Sequence, residues 1–167
     1  MNTTTTYTGR IRDKARELGF SDCGFARAEK LGKDSDVLVE WLGKGRHAGM
    51  SWMENNLEKR IDPTRLLPGA KTVVSVLLNY YNPRMQDDPS APVISRYAYG
   101  RDYHKVARKK LKKLLVYIGE LIPGTTGRAF VDSAPVMEHA WATRAGLGWI
   151  GKNSLLLSKK YGSYIFL

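Results

Sequence analysis

At 167 residues, with 43% hydrophobic and 26% charged side chains, the chain has the make-up of one ordinary globular domain, which excludes a disordered or fibrous protein. Its 27 Lys and Arg outnumber 16 Asp and Glu, and the net charge of +11 points to a polyanionic partner, nucleic acid first among the candidates. No apolar run approaches the roughly 20 residues that span a bilayer, the opening MNTTTTYTGR lacks the apolar stretch of a signal peptide, and the single cysteine, Cys23, can form neither an internal disulfide nor, alone, a zinc or iron–sulfur site. A cytoplasmic protein with no membrane contact is expected, with Cys23 as a small buried hydrophobe.

Taken in order, residues 7–18 have the spacing of an amphipathic helix ending at Gly19, and CGFARAE at 23–29 reads as a short strand. Residues 34–42 form a second expected helix, capped by Asp34 or Ser35, with Val37, Leu38, Trp41 and Leu42 on its inward face. A glycine-bearing, then aromatic and charged stretch follows as a loop with a short helix that ends before Pro63. Residues 71–81, KTVVSVLLNYY, are the best strand in the chain, central and buried on both faces. NPRMQDDPSAP at 82–92 is a loop by its Pro, Asn and Asp content, and VISRYAYG at 93–100 alternates as a strand does.

The longest helix is expected over 102–121, with Val106, Leu111, Leu114, Leu115 and Ile118 in its apolar stripe and Pro123–Gly124 ending it. Arg101, Lys105, Arg108, Lys109, Lys110, Lys112 and Lys113 form its basic side, which either grips phosphates or is a solvated face. LLLSKKYGSYIFL at 155–167 reads as two strands joined at 159–162. Because the chain stops at Phe166–Leu167 inside that apolar run, a truncation ahead of a further domain is expected.

Most of the chemical information falls in residues 128–154, RAFVDSAPVMEHAWATRAGLGWIGKNS. A buried strand over 128–131 leads to Asp132 and Ser133, both capping residue types, ahead of Pro135 and a helix carrying Val136, Met137, Ala140 and Trp141. Glu138 falls in the early turns of that helix, which stops near Gly146. A carboxylate at a strand end, beside a helix start and facing a glycine-rich turn, is a common way to build a site. Asp132 as an N-cap and the glycines as a tight turn account for the same residues. GLGWIG matches GxGxxG but follows a helix rather than a strand, which makes it weak as a dinucleotide fingerprint. His47, His104 and His139 lack mutual metal-ligand spacing, so no metal site is expected. Trp41, Trp52, Trp141 and Trp149 are core or pocket wall, and Trp149, inside the glycine turn, is the one best placed to touch a ligand.

VDSAPVMEHAWATRAGLGWIGKNSLLLS, SRYAYGRDYHKVARKKLKKL at 95–114 and the closing GSYIFL together resemble the N-terminal domain of epoxyqueuosine reductase, the cobalamin-dependent iron–sulfur enzyme of queuosine biosynthesis in tRNA. EKRIDPTRLLPGAKTVVSVLLNYY at 58–81 extends the resemblance with lower specificity, so that it covers residues 45–167. It implies a single α/β (α+β) cobalamin-binding domain over 1–167, with a mixed or antiparallel sheet flanked by helices, akin to cobalamin-processing and nitroreductase-like domains. In the family a ferredoxin-like domain with two [4Fe–4S] clusters follows; its CxxCxxCxxxCP run is absent here, so this chain alone is expected to be inactive. Family members use reduced cobalamin, fed by an external electron donor, to remove the epoxide oxygen of the modified base and leave a cyclopentene and water.

Carried over residue by residue, the resemblance makes Asp132 the proton donor. It puts Ser133, Ala134, His139 and the turn Gly151–Lys152–Asn153–Ser154 around the corrin, with Arg60, Tyr97 and the Tyr103–His104 region as further wall. The basic residues Arg101, Lys105, Lys109 and Lys112 fit a tRNA substrate. Epoxide opening develops an alkoxide that needs a neighbouring acid, so Asp132 is expected to be protonated in the complete site through burial over the corrin. Other classes explain parts of the pattern: a stand-alone cobalamin-binding or trafficking protein, a corrin-free basic module that binds RNA through 101–113, or the related enzymes that remove halogens.

Overall fold

The structure, a computed structural model, describes residues 6–84 and 86–167. Its centre is β2 (Thr72–Asn79), the β-branched run TVVSVLLN, held between two antiparallel neighbours. One is β1 (Asp22–Arg27), in register from Asp22 opposite Leu77 to Arg27 opposite Thr72; the other is β5 (Ile165–Phe166), with Leu78 opposite Phe166. The sheet is therefore antiparallel and flanked by helices, as expected. A separate small hairpin pairs β3 (Trp149–Ile150) with β4 (Leu156–Leu157).

Alternation along β1 and β2 decides which helix covers which face. Cys23 and Val76 are paired across the strands and point to one side, where they join Ile11, Ala15 and Phe20. That side is covered by α1 (Tyr7–Glu17) and α5 (Tyr103–Leu121), which also contributes the buried Leu114. Leu77 points to the other side and packs with Ala142, Leu147 and Leu156. Ala26 and Val73, also paired, support Leu31, Ala140 and Trp141 there. That second side belongs to α6 (Glu138–Arg144), seven residues of which Ala140, Trp141 and Ala142 are buried. Cys23 is 1% exposed, and burial pushes its thiol up to about 11, as suits a small core hydrophobe.

The helices end where the sequence signals it. Thr6 caps α1 by accepting from the Gly9 N–H at 3.2 Å, and Gly19 closes the helix at φ +82°. Asp102 caps α5 by accepting from the His104 N–H at 3.0 Å. Gly24 marks the tightest approach of α6 to the sheet: a Cβ there would lie 2.4 Å from the Ala145 carbonyl oxygen and 2.9 Å from its Cβ. Gly24→Ala is therefore expected to destabilise the chain by about 1–3 kcal/mol, read from the midpoint of urea unfolding with an unchanged slope.

Several expectations are corrected. Residues 128–131 are not a strand: the run pairs with no strand, β5 pairing with β2 only at Leu78 and Asn79, and of these residues Val131 alone is buried, at 1% exposure. The helix after it starts at Glu138 rather than near Pro135, with Met137 as N-cap and no side-chain cap, so Asp132 and Ser133 cap nothing. Residues 93–100 form no strand but a 3-10 turn at Arg96–Ala98, because Val93, Ile94 and Tyr97 are exposed and no strand edge receives them. The second helix, α2 (Lys33–Gly43), is capped by neither Asp34 nor Ser35: Gly32 is its N-cap, Ser35 donates to the Gly32 carbonyl at 2.7 Å, and Val37 is 57% exposed. Pro63 opens a helix as well as following one, since α3 (Leu57–Ile61) is followed by α4 (Pro63–Leu66), capped by Asp62. β2 is central, but only Val76 and Leu77 are fully buried. The strands of 155–167 exist but pair with different partners, β4 with β3 and β5 with β2. Among the described residues, no helix is long and apolar enough to cross a membrane.

Candidate active site

The start of α5, the segment 131–137 and the end of β5 meet at one cluster of polar groups. Asp102, fixed as the α5 cap, lies 2.9 Å from His104 Nδ1, and this side-chain hydrogen bond first of all holds its carboxyl below the usual carboxylate range. The opposite ring nitrogen, Nε2, lies 3.3 Å from Asp132 Oδ2. Tyr103 donates its hydroxyl proton to the same Asp132 oxygen. Burial, then the bond to Asp132, holds that phenol well above its ordinary range.

Aromatic stacking fixes the two rings. The Phe166 ring of β5 lies parallel to Tyr103 at 3.9 Å, and Tyr103 stacks on His104 at 4.0 Å. β5 is thus part of the site's support, although it contributes no polar group to it. Phe166→Ala is expected to loosen the Tyr103 ring, read as faster ring flipping and a lost ring-current shift on His104 in proton NMR.

Asp132 itself sits at φ +53°, in the left-handed region. Its N–H donates to Glu138 Oε1 at 3.1 Å, and the adjoining turn is closed by Ser133 N–H to the Val131 carbonyl at 2.6 Å. Its side chain is 45% exposed. Glu138 is the less exposed carboxyl of the pair, half-buried on the cleft wall and pushed up to about 7 first by burial, with the neighbouring Asp132 charge adding to the rise while the Asp132 N–H works against it.

A cleft of about 440 Å³ opens beside this pair. Asp132, Ser133, Ala134 and Glu138 form one wall, and Trp52, Asn55, Asn56 and Arg60 the other. The Arg60 guanidinium lies 5.9 Å from the Trp52 ring centre, and its Nε is buried without a hydrogen-bond partner. Such an atom is suited to an acceptor brought in from outside.

Of the site residues expected from sequence, Arg60, Asp132, Ser133 and Ala134 line this cleft together. Tyr97 lines a second cavity of about 520 Å³ with Tyr80, Tyr99 and Tyr164. His139 is exposed and lines neither. Gly151, Lys152, Asn153 and Ser154 form the β3–β4 turn, away from both cavities, where Gly151 donates to the Leu155 carbonyl and Leu155 to Asn153 Oδ1. A Cβ on Gly151 would lie 2.7 Å from Leu157 Cδ1, and one on Gly148 would lie 2.2 Å from the Leu157 carbonyl oxygen, so these glycines serve hairpin packing. Trp149, beside them, is 46% exposed. Arg101, Lys105, Lys109 and Lys112 are all exposed along α5 and just before it; Lys110 is instead bound to the Gly19 carbonyl, and Arg108 reaches Ser133 Oγ at 3.4 Å. Sequence reasoning passed over Glu138 and the Asp102–His104 pairing, although Asp-x-His at a helix start is a readable sign of a cap that orients an imidazole.

A family model described as "Epoxyqueuosine reductase QueG, DUF1730" matches residues 60–133, which run from Arg60 through Ser133 and include Asp132. The epoxyqueuosine reductase of Cyclobacterium marinum is 48% identical over 168 residues, covering 100% of this chain and 54% of that protein. The chain belongs to the epoxyqueuosine reductase family. It spans about half the length of the curated relatives it matches. Solved epoxyqueuosine reductases share the fold: one in complex with an epoxyqueuosine-modified tRNA stem loop superposes with a TM-score of 0.83 at 31% identity, over 94% of this chain and 42% of that one. Another, from Bacillus subtilis, superposes with a TM-score of 0.82 at 29% identity over the same shares, and is described with its catalytic aspartate loop swung out of the active site.

Proposed function

We propose that the chain is the cobalamin-binding domain of a cytoplasmic epoxyqueuosine reductase, a unit that supplies the acid for reducing epoxyqueuosine to queuosine in tRNA. The observation that carries this reading is Asp132, held at the mouth of the cleft by Tyr103, His104 and Glu138 inside a chain that belongs to the reductase family.

The residues present fit a corrin, a broad apolar disc edged by amides. The unpartnered Arg60 Nε is a donor for an amide carbonyl, Asn55 and Asn56 offer both donors and acceptors, and Trp52 gives an apolar wall. Arg60, Ser133 and Ala134 are the residues proposed to hold its nearest edge. Tyr97, His139 and the 151–154 turn would touch the group only where it extends beyond the cleft. When bound, cobalamin supplies the electrons that break the epoxide C–O bond, delivered from an external donor through the two [4Fe–4S] clusters of the family, for which this chain holds no ligands.

The chain's own residues handle the proton. Asp132 gives one to the oxygen leaving the epoxide, and Tyr103 and His104, both directed at Oδ2, hold the carboxyl in place and stabilise its anion afterwards. Burial beneath the corrin is what would keep Asp132 protonated beforehand. The test is product analysis: a protein of the relatives' full length, carrying this domain, is expected to convert epoxyqueuosine to queuosine in tRNA, and a reductively loaded protein that leaves the epoxide intact would overturn the reading.

The tRNA is proposed to run along the exposed basic side of α5. Replacing Arg101, Lys105, Lys109 and Lys112 together by Ala is expected to make the slope of log K against log salt shallower by about three, at about 0.7–0.9 for each phosphate no longer neutralised. An unchanged slope would mark the face as simply solvated.

A further inference from the structure

We infer that the second cavity, lined by Tyr80, Tyr97, Tyr99, Tyr164 and Arg96, is a stacking subsite for an unpaired nucleobase of the tRNA, a strand neighbour of the nucleotide presented to Asp132. The inference rests on the reading of tRNA as the substrate and adds to it a place where the strand is gripped through a base.

Size, surface and charge suit a flat ring joined to an anion. The volume, about 520 Å³, is that of a small-molecule site. Its phenols are left open rather than spent on the core: Tyr97, Tyr99 and Tyr164 are exposed, and with Val93 and Ile94 they make an apolar patch that the described residues leave uncovered. Their rings offer faces to any base, and their hydroxyls offer hydrogen bonds to its edge. Arg96 supplies positive charge. Its guanidinium lies 5.1 Å from the Tyr81 ring centre and 5.7 Å from that of Tyr164, and it forms no ion pair among the described residues. Held against two rings, it keeps N–H groups for a phosphate. Asp88, the carboxylate of the lining, is tied to its own loop, where Oδ1 accepts from the Ser90 N–H at 2.9 Å and from the Ser90 hydroxyl at 2.7 Å.

Position ties the cavity to the chemistry. Tyr80 packs on Phe166 at 4.5 Å and Phe166 stacks on Tyr103 at 3.9 Å, so two ring contacts separate the cavity wall from the phenol that binds Asp132. Tyr164, just ahead of β5, packs edge-on against Tyr80 at 5.8 Å and Tyr81 at 5.1 Å. A base presented to Asp132 must leave the stack of its loop, and its neighbour thereby loses the cover of one face. The cavity restores that cover with a phenol ring. Because stacking asks only for a flat surface, purines and pyrimidines are held alike. The subsite therefore fixes the strand beside the reacting base without reading its sequence.

The experiment measures the binding of anticodon stem-loop RNAs to a full-length reductase carrying this domain, beside its Tyr99→Ala and Tyr99→Phe variants. Tyr99 is exposed and takes no part in the Asp132 cluster. One RNA is intact; in two others the base on one or the other side of the modified position is removed, leaving its sugar and phosphate. Tyr99→Ala is expected to weaken binding of the intact RNA by about 5- to 150-fold, the range for one base stacked on one ring, and Tyr99→Phe to restore most of it. The unaltered protein should show a similar loss with one of the two base-less RNAs, and with that RNA Tyr99→Ala should cost no more than about twofold. Losses that add in full for both base-less RNAs, or an unchanged affinity in Tyr99→Ala, overturn the inference while tRNA remains the substrate. A fall in cob(II)alamin affinity in Tyr99→Ala with RNA binding intact also overturns it, giving the cavity to the cofactor. Failure of the intact RNA to bind the unaltered protein overturns the substrate reading and the inference together.

Discussion

Asp132→Asn is expected to lower epoxyqueuosine reduction by about 100- to 10,000-fold in a full-length reductase carrying this domain, the range general acid catalysis supplies. Asn is nearly isosteric and keeps an oxygen for Tyr103 and His104, so the turn, the ring stack on Phe166 and the cleft should survive. What it lacks is a transferable proton. The loss should therefore fall on the rate of the chemical step, with tRNA affinity and cofactor spectrum unchanged. Single-turnover product analysis at saturating tRNA checks this; turnover within a few-fold of the unaltered enzyme would remove Asp132 from the mechanism and leave the cluster as structural.

Trp141→Ala is the second large effect, about 3–5 kcal/mol of lost stability. The indole is 2% exposed and sits between Leu31 and Ala140, with Ala26 and Val73 of the sheet beneath it and Val136 and Met137 beside it. Removing it empties a space that short, tightly packed α6 has little freedom to fill. Because Val136 and Met137 lead directly out of the Asp132 turn, the loss should reach the site as well as the core. Urea unfolding followed by circular dichroism reads the first part, and a loss below about 1 kcal/mol would mean that the core collapses around the gap.

The frame of the molecule could be read from pattern because local chemistry and packing agree there. Residues 71–81 are β-branched and continuous, and they became the central strand; Asp102 precedes a long apolar stripe, and it caps α5. Where pattern failed, a partner was missing. Residues 93–100 alternate like a strand and residues 128–131 look apolar, but neither run pairs with a strand of the sheet. Propensity does not announce that. Gly148 and Gly151 pack closely on Leu157 in the small hairpin, a constraint that depends on the pairing of β3 with β4 and that glycine spacing alone does not announce.

The cleft was legible in part for the same reason. Asp132, Ser133 and Ala134 are contiguous, so finding one placed all three. Arg60 came with the family resemblance and does lie across from them. Glu138 passed as an ordinary first-turn acid, because its role depends on the Asp132 backbone doubling back over the helix start at positive φ, which no residue type in the run announces.

The most direct test of cobalamin at this cleft is an anaerobic titration of the full-length protein with cob(II)alamin, followed by visible absorption and cobalt electron paramagnetic resonance, beside the Arg60→Ala variant. Arg60 is the better probe than Gly151, whose substitution would break the hairpin. The expected result is a shift to the base-off spectrum, with affinity weakened about tenfold or more in Arg60→Ala, equivalent to about 1.4 kcal/mol for one missing hydrogen bond to a charged group. An unchanged spectrum, or equal affinity in the variant, would contradict the placement of the cofactor against Arg60 and Asp132.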